Sequence, residues 1–244
     1  YYMVLGEFDR AMNALNIVQK KGLLDENDYL ERKAKLYVIA GDKEKAIGAY
    51  QDLLAYGKVI VGHEKADWEM RAEVLEEWGL YLFYCRDLKP AIKILKQSMK
   101  IRVKQGLDFE NTGTHLAVAY YLRKEYSKAA KIARQVMDEV RSEESYLSFV
   151  TLAPVRLVYR AQLYMCLRDY TKMKELLQRV SRIPKCKHCT HTRCSGAMIV
   201  WGMYEEAQGH AQKALEYYRE GLSYDPWDQE LVLAIRNLDR HAEE

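Results

Sequence analysis

Apolar residues recur three and four positions apart along most of the chain, which is the spacing of one face of an α-helix. Short turn sequences interrupt these stretches, and several contain glycine or aspartate, as at Gly41-Asp42 and Gly209. An alanine then recurs shortly after all but one of these turns. This pattern predicts an all-α protein that is built from repeated helix–turn–helix units.

The most regular of these units is residues 209–226, GHAQKALEYYREGLSYDP. Ala214, Tyr218 and Gly221 lie at helical spacing, and Asp-Pro ends the helix. This order resembles the second half of a tetratricopeptide (TPR) repeat, in which two antiparallel helices occupy about 34 residues. Five further matches occur upstream, and their anchor positions are Ala11, Ala46, Ala91, Ala129 and Met173.

The resemblance to the TPR superfamily covers nearly all of residues 1–244, which we interpret as a single repeat domain. It implies a right-handed α-solenoid of antiparallel helix pairs with about six TPR-like repeats. Only the end of the first helix precedes the turn at Gly6, which indicates a truncated first repeat and a fragment of a longer protein. Residues 227–242 have one polar face and predict a C-terminal capping helix. The alternative is a generic helical bundle whose aromatic residues are simply core.

The long helices resemble those in the sensor and interaction domains of bacterial regulators. Composition agrees with a folded helical protein, because 49% of the residues are hydrophobic, 30% are charged and only 4 are proline. A formal net charge of +3 is too small to predict a nucleic-acid surface. No apolar run approaches the ~20 residues of a membrane span. Three of the five cysteines fall within nine residues, unlike a disulfide framework, and we expect a cytoplasmic protein.

In TPR arrays the first helix of each repeat lines a concave face, so the resemblance implies a groove for a protein or peptide partner. The implied lining is mostly apolar and aromatic, and it suits an extended peptide or an amphipathic helix. Its residues are Leu80, Phe83, Tyr84, Val118, Tyr121, Gln162, Met165, Ile199 and Met203. The alternative is that they pack against another domain, a second copy or the array's own inner helices. The Lys/Asn/Arg set with which some TPR proteins hold chaperone C-terminal carboxylates is not found.

Residues 183–197 form an insert between the last two repeats that is rich in cysteine and histidine. Two thiolates separated by two residues can bind one metal ion, and zinc takes four such ligands. We predict one structural zinc with His191 as the fourth ligand and His188 as the alternative. Its thiolate ligands would be Cys186, Cys189 and Cys194. Reduced cysteines without metal, a redox-sensing pair and an iron–sulfur ligand set remain alternatives.

The sequence has no phosphate loop, GxSxG elbow, HExxH motif or dinucleotide fingerprint. The paired carboxylates at 76–77, 143–144 and 205–206 are interpreted as solvated helix faces. These observations favour a non-catalytic protein- or peptide-binding scaffold, such as the sensor arm of a transcriptional regulator. The alternative is an accessory TPR domain of a multidomain enzyme, in which the Cys/His loop contacts the catalytic domain or its substrate.

Overall fold

The computed structural model describes residues 7–60, 65–141, 153–181, 195–226 and 228–243, and within these ranges it contains helices and no strand. Twelve helices follow one another in this part of the chain. They are α1 (Phe8–Lys20), α2 (Glu26–Ala40), α3 (Lys43–Ile60), α4 (Lys65–Tyr84), α5 (Leu88–Gln105), α6 (Glu110–Leu122), α7 (Tyr126–Arg141), α8 (Ala153–Cys166), α9 (Tyr170–Ser181), α10 (Gly196–Ala207), α11 (Ala211–Tyr224) and α12 (Gln229–Glu243).

Consecutive helices pack in pairs, α2 with α3, α4 with α5, α6 with α7, α8 with α9 and α10 with α11. Helix α1 packs on α2 as the second helix of a first repeat, and α12 packs on α11 as a cap. Each complete pair buries its anchor residue fully, including Met173, which replaces the usual alanine. The predicted all-α solenoid with a C-terminal capping helix is therefore confirmed.

A second small residue lies twelve positions before each anchor and lets the two helices of a pair cross closely. The five residues are Ala34, Gly79, Ala117, Ala161 and Gly202, and all are buried. At Gly79 an added Cβ atom would lie 2.7 Å from the side chain of Leu95. At Gly202 it would lie 2.1 Å from Cε1 of Tyr218. The ring of Tyr218 therefore occupies the space that a Cβ atom would need.

The turns inside the five pairs share one backbone geometry. One residue in each turn has a positive φ, between 58° and 87°, and these residues are Gly41, Arg86, Lys124, Arg168 and Gly209. At Arg86 the backbone N–H bonds the Phe83 carbonyl at 3.0 Å, and the next N–H bonds the Leu82 carbonyl at 2.9 Å. This is the Schellman arrangement that ends many helices. A left-handed conformation costs about 1–2 kcal/mol at a residue other than glycine, so Arg86 holds a strained position.

The first helices of repeats three to six, α4, α6, α8 and α10, pack side by side. Helix α10 also contacts α6, two repeats away, and α12 contacts α4. In an open solenoid each repeat contacts only its neighbours. The array is therefore closed on its inner side, and one hydrophobic core runs from α4 to α12. The α2–α3 pair has a smaller core of its own.

Candidate partner-binding groove

The residues that were predicted to line a groove lie together, but inside the core. Phe83, Val118, Tyr121 and Met165 have no exposed surface, and Leu80 is partly buried against the same core. The other predicted lining residues, Tyr84, Gln162, Ile199 and Met203, are also buried. Of the alternatives left open by the sequence, packing on the array's own inner helices matches their place in this structure. Contact with a partner stays a prediction for these residues.

A buried ion pair holds the inner side closed, and we call it the Arg86 link. Nε and Nη2 of Arg86 donate to Oε1 and Oε2 of Glu206 at 2.7 and 2.6 Å. The Tyr218 hydroxyl accepts from Arg86 Nη2 at 2.9 Å and donates to Glu206 Oε2 at 2.9 Å. The link joins the end of α4 to the end of α10 across 120 residues of sequence. Although burial opposes it, the negative charge of Glu206 raises the pKa of Arg86 above its ordinary value.

The interpretation of the paired carboxylates as solvated faces is wrong for three of them. Glu76 is partly buried among α4, α5 and α6, where it pairs with Arg102 at 3.2 Å and accepts from Asn111 Nδ2 at 2.6 Å. Glu206 belongs to the Arg86 link, and Glu205 is buried beside Lys213 at 2.7 Å. Their partners come from other helices, so helical periodicity alone did not identify these bonds. Residues 143–144 lie outside the described residues.

An open groove remains on the inner side between α2, α4 and the start of α12, and we call it the α2–α12 groove. Its volume is about 510 Å³, within the range of small-molecule and peptide-side-chain pockets of roughly 300–1,000 Å³. Its lining residues are Lys35, Val38, Ile39, Tyr50, Glu77, Leu80, Tyr81, Tyr84, Asp225, Asp228, Gln229, Glu230 and Leu233. Leu80 and Tyr84 are the two predicted groove residues that reach it. The α2–α12 groove therefore overlaps the predicted lining at these residues and adds residues of α2, α3 and α12.

The α2–α12 groove is acidic, since four carboxyl groups and one ammonium group occur among its described lining residues. Lys35 contacts Glu31 at 2.5 Å and Glu77 at 3.2 Å. Burial acts to lower the pKa of Lys35, but the two carboxylates outweigh it and raise that pKa. Asp228 accepts from the Ser195 hydroxyl at 2.6 Å and from the Glu230 backbone N–H at 3.0 Å, so it caps α12. Carboxyl groups therefore outnumber ammonium groups among the described lining residues of the groove.

Glu230 lines the groove at one end of a hydrogen-bonded chain that passes into the core. Its carboxyl group bonds Tyr84, whose hydroxyl oxygen lies 3.0 Å from Nε2 of His115. Nδ1 of His115 lies 2.9 Å from the Asn111 carbonyl oxygen, which can only accept, so Nδ1 carries a hydrogen. Burial lowers the pKa of His115 and favours the neutral ring. When Nε2 accepts from Tyr84, a protonated Glu230 can complete the chain by donating to the Tyr84 oxygen.

Burial, followed by the charge of Asp228, raises the pKa of Glu230 to about 7, although the hydrogen bond with Tyr84 and the charge of Arg86 act to lower it. Because the folded state holds this proton more tightly than the unfolded state, ionisation of Glu230 lowers stability as pH rises from about 4.5 through 7.

Replacing Glu230 with glutamine is expected to raise the free energy of unfolding at pH 8 and to leave it nearly unchanged at pH 5. The glutamine amide can donate to Tyr84 at every pH, so the gain at pH 8 is on the order of 1–2 kcal/mol. Urea unfolding of both proteins at several pH values measures the difference. The lowered pKa of His115 has the opposite effect, because it lowers stability as the pH falls below ~6.5. His115 is present in both proteins, so the difference between them reports on Glu230. A difference that is constant from pH 5 to 8 contradicts the assignment.

Residues 183–194 of the Cys/His insert lie outside the described residues, so the zinc ligands Cys186, Cys189, Cys194 and His191, with His188 as the alternative, stay a prediction. Within the described ranges no group of three or more His, Cys, Asp or Glu side chains is arranged to hold a metal ion. Cys166 is buried in the core, and burial raises the pKa of its thiol. No described helix is both long enough and apolar enough to cross a membrane.

Comparison with known proteins finds relatives along most of the chain. No protein-family model matches it. Hsp70-Hsp90 organizing protein 1 from Glycine max is 27% identical over 231 residues, which cover 87% of this chain and 38% of that protein. The chain thus spans about two fifths of the length of this relative.

Solved structures show the same fold at low sequence identity. A tetratricopeptide repeat protein from Parabacteroides merdae superposes with a TM-score of 0.56 at 15% identity, over 98% of this chain and 80% of that one. BtubC (BKLC) from P. vanneervenii gives a TM-score of 0.51 at 15% identity, over 90% and 88%. A putative kinesin light chain from Podosopora anserina gives 0.50 at 18% identity, over 82% and 96%. The TPR resemblance that was drawn from the sequence is confirmed at the level of the fold, which is the one that these tetratricopeptide-repeat structures share.

Proposed function

We propose that this chain is a non-catalytic interaction scaffold that binds a short segment of a partner protein in the α2–α12 groove. The observation that carries the proposal is the groove itself, an open cavity beside first helices that otherwise pack into the core. It combines aliphatic and tyrosine side chains with a few charged groups, which is the usual make-up of a binding site. The name of the soybean relative also refers to protein–protein organisation.

The buried polar side chains support a non-catalytic role. Glu76, Glu206 and His115 are all engaged in bonds between helices, where they hold the array together. A role as the sensor arm of a regulator, or as an accessory domain of an enzyme, is a finer proposal. A cytoplasmic location stays a prediction.

A displayed library of random peptides, selected on the whole chain, tests the proposal. Replacing Ile39 with tryptophan fills the groove, so the selected peptides are expected to lose at least about tenfold in affinity. Val103 is a matched control, because it is an exposed β-branched residue on α5 away from the groove. Its replacement by tryptophan is expected to leave affinity unchanged. Peptides that bind both variants as they bind the natural chain would refute the groove as the binding site.

A further inference from the structure

We propose that the α2–α12 groove selects a partner segment in which a lysine or arginine is flanked by apolar residues. This inference rests on the proposed function and names the chemistry of its ligand. The charge of the groove is opposite to that of the whole chain, which carries a formal net charge of +3. The acidity is therefore a local property of the groove rather than a reflection of composition.

The position of the carboxyl groups favours a cation at the α12 end. Lys35 lies at the α2 side, where Glu31 and Glu77 already hold it. Asp225, Asp228 and Glu230 line the opposite side, beside the N-terminus of α12. Arg86 is the cation whose charge acts on Glu230, and its guanidinium is bonded to Glu206. Since carboxyl groups outnumber cationic groups among the described lining residues, this end of the groove favours a cationic side chain over an anionic one.

The remaining lining fits the other parts of a basic side chain and its neighbours. Ile39, Leu80 and Leu233 offer aliphatic surface that can cover the methylene stem of lysine or arginine. Tyr81 and Tyr84 add ring faces that attract cations when water is excluded. A segment that carries only carboxylates would meet like charge here, so the groove disfavours acidic partners.

The proton on Glu230 makes the binding of a basic ligand depend on pH. In the absence of ligand, the hydrogen-bonded chain through Tyr84 and His115 is completed by a proton on Glu230. A cation bound beside this carboxyl group favours its ionised form, so binding releases the proton. Affinity for a basic peptide is therefore expected to rise roughly three- to tenfold between pH 6 and pH 8, by linkage.

The test uses groove-dependent peptides, defined as those that lose affinity for the Ile39→Trp variant. We expect selected sequences to be enriched in lysine and arginine. Replacing that residue by glutamine in a synthetic peptide is expected to weaken binding about tenfold, and replacement by glutamate to weaken it further. Binding of the basic peptide is expected to weaken as salt rises from about 50 to about 500 mM. Fluorescence polarisation measures each affinity.

The protein variants separate charge from fold. Glu230→Gln keeps a hydrogen-bonding group against Tyr84, and it is expected to weaken the basic peptide about fivefold and to abolish the pH effect. Glu216→Gln is the matched control, since Glu216 is exposed on α11 outside the groove. Circular dichroism is used to check that both variants are folded.

The two proposals fail in different ways. Groove-dependent peptides that are neutral or acidic, or that bind Glu230→Gln as tightly as the natural chain, would overturn the basic ligand and leave the scaffold proposal standing. If the selection yields no groove-dependent peptide, both proposals are refuted.

Discussion

Replacing Arg86 with alanine is expected to lower the free energy of unfolding by about 3–5 kcal/mol, the usual loss when one partner of a buried ion pair is removed. Glu206 would keep its buried charge and lose both guanidinium bonds, while the Tyr218 hydroxyl would remain its neighbour in the link. The loss is expected to persist at high salt, because the Arg86 side chain is 7% exposed and the Glu206 side chain 16%. Urea unfolding followed by circular dichroism measures it.

A pair of glycine substitutions separates the ionic contact from backbone strain. Arg86 and Lys124 occupy equivalent turn positions with φ of 58° and 61°. Lys124 is exposed, so Lys124→Gly relieves the left-handed strain and is expected to be neutral or stabilising by up to about 1 kcal/mol. Arg86→Gly relieves the same strain but breaks the link. If the two variants are equally stable, the Arg86 link contributes nothing to the closure of the array.

Replacing Gly202 with alanine is expected to destabilise the chain by about 2–3 kcal/mol, even though alanine adds about 1 kcal/mol of helix propensity. The new methyl group would lie 2.1 Å from Cε1 and 2.5 Å from Cδ1 of Tyr218. Tyr218 is completely buried and its hydroxyl belongs to the Arg86 link, so its ring cannot move without disturbing that link. Thermal and urea unfolding measure the change.

Gly48 provides the opposite case within the same chain. It lies inside α3, and an added Cβ atom there meets nothing within 4 Å. Gly48→Ala is therefore expected to stabilise the chain by about 0.5–1 kcal/mol. If Gly202→Ala stabilises the chain as Gly48→Ala does, helix propensity rather than close packing determines the effect of a substitution at Gly202.

The local architecture was predictable because each repeat carries its own turn and its own small residues. The Ala34–Ala46 and Gly202–Ala214 pairs show the same twelve-residue spacing, and the structure confirms the helix pairs that they predict. The capping helix was predictable for a similar reason, since its polar and apolar faces follow directly from the sequence of residues 229–243.

The closure of the inner side was not predictable from periodicity. An apolar inner face has the same sequence pattern whether it is an open groove or a core, and the angle between repeats decides which it becomes. That angle depends on contacts between distant residues, such as Arg86 with Glu206. One signal was present, because arginine stands at a turn position that is glycine in Gly41 and Gly209. A strained residue that is not glycine invites a search for the contact that stabilises it.

The Arg86 link also fixes how many repeats this unit can contain. Solenoids usually tolerate the gain or loss of a repeat, since each repeat contacts only its neighbours. Here α4 is joined to α10 through the Arg86 link and contacts α12 directly. The first helices of two repeats, α6 and α8, lie between α4 and α10 and set the distance between Arg86 and Glu206. An added or deleted repeat between them would carry Glu206 out of reach of Arg86. Repeats three to six therefore form a block of fixed length, and natural variation in repeat number is expected outside it.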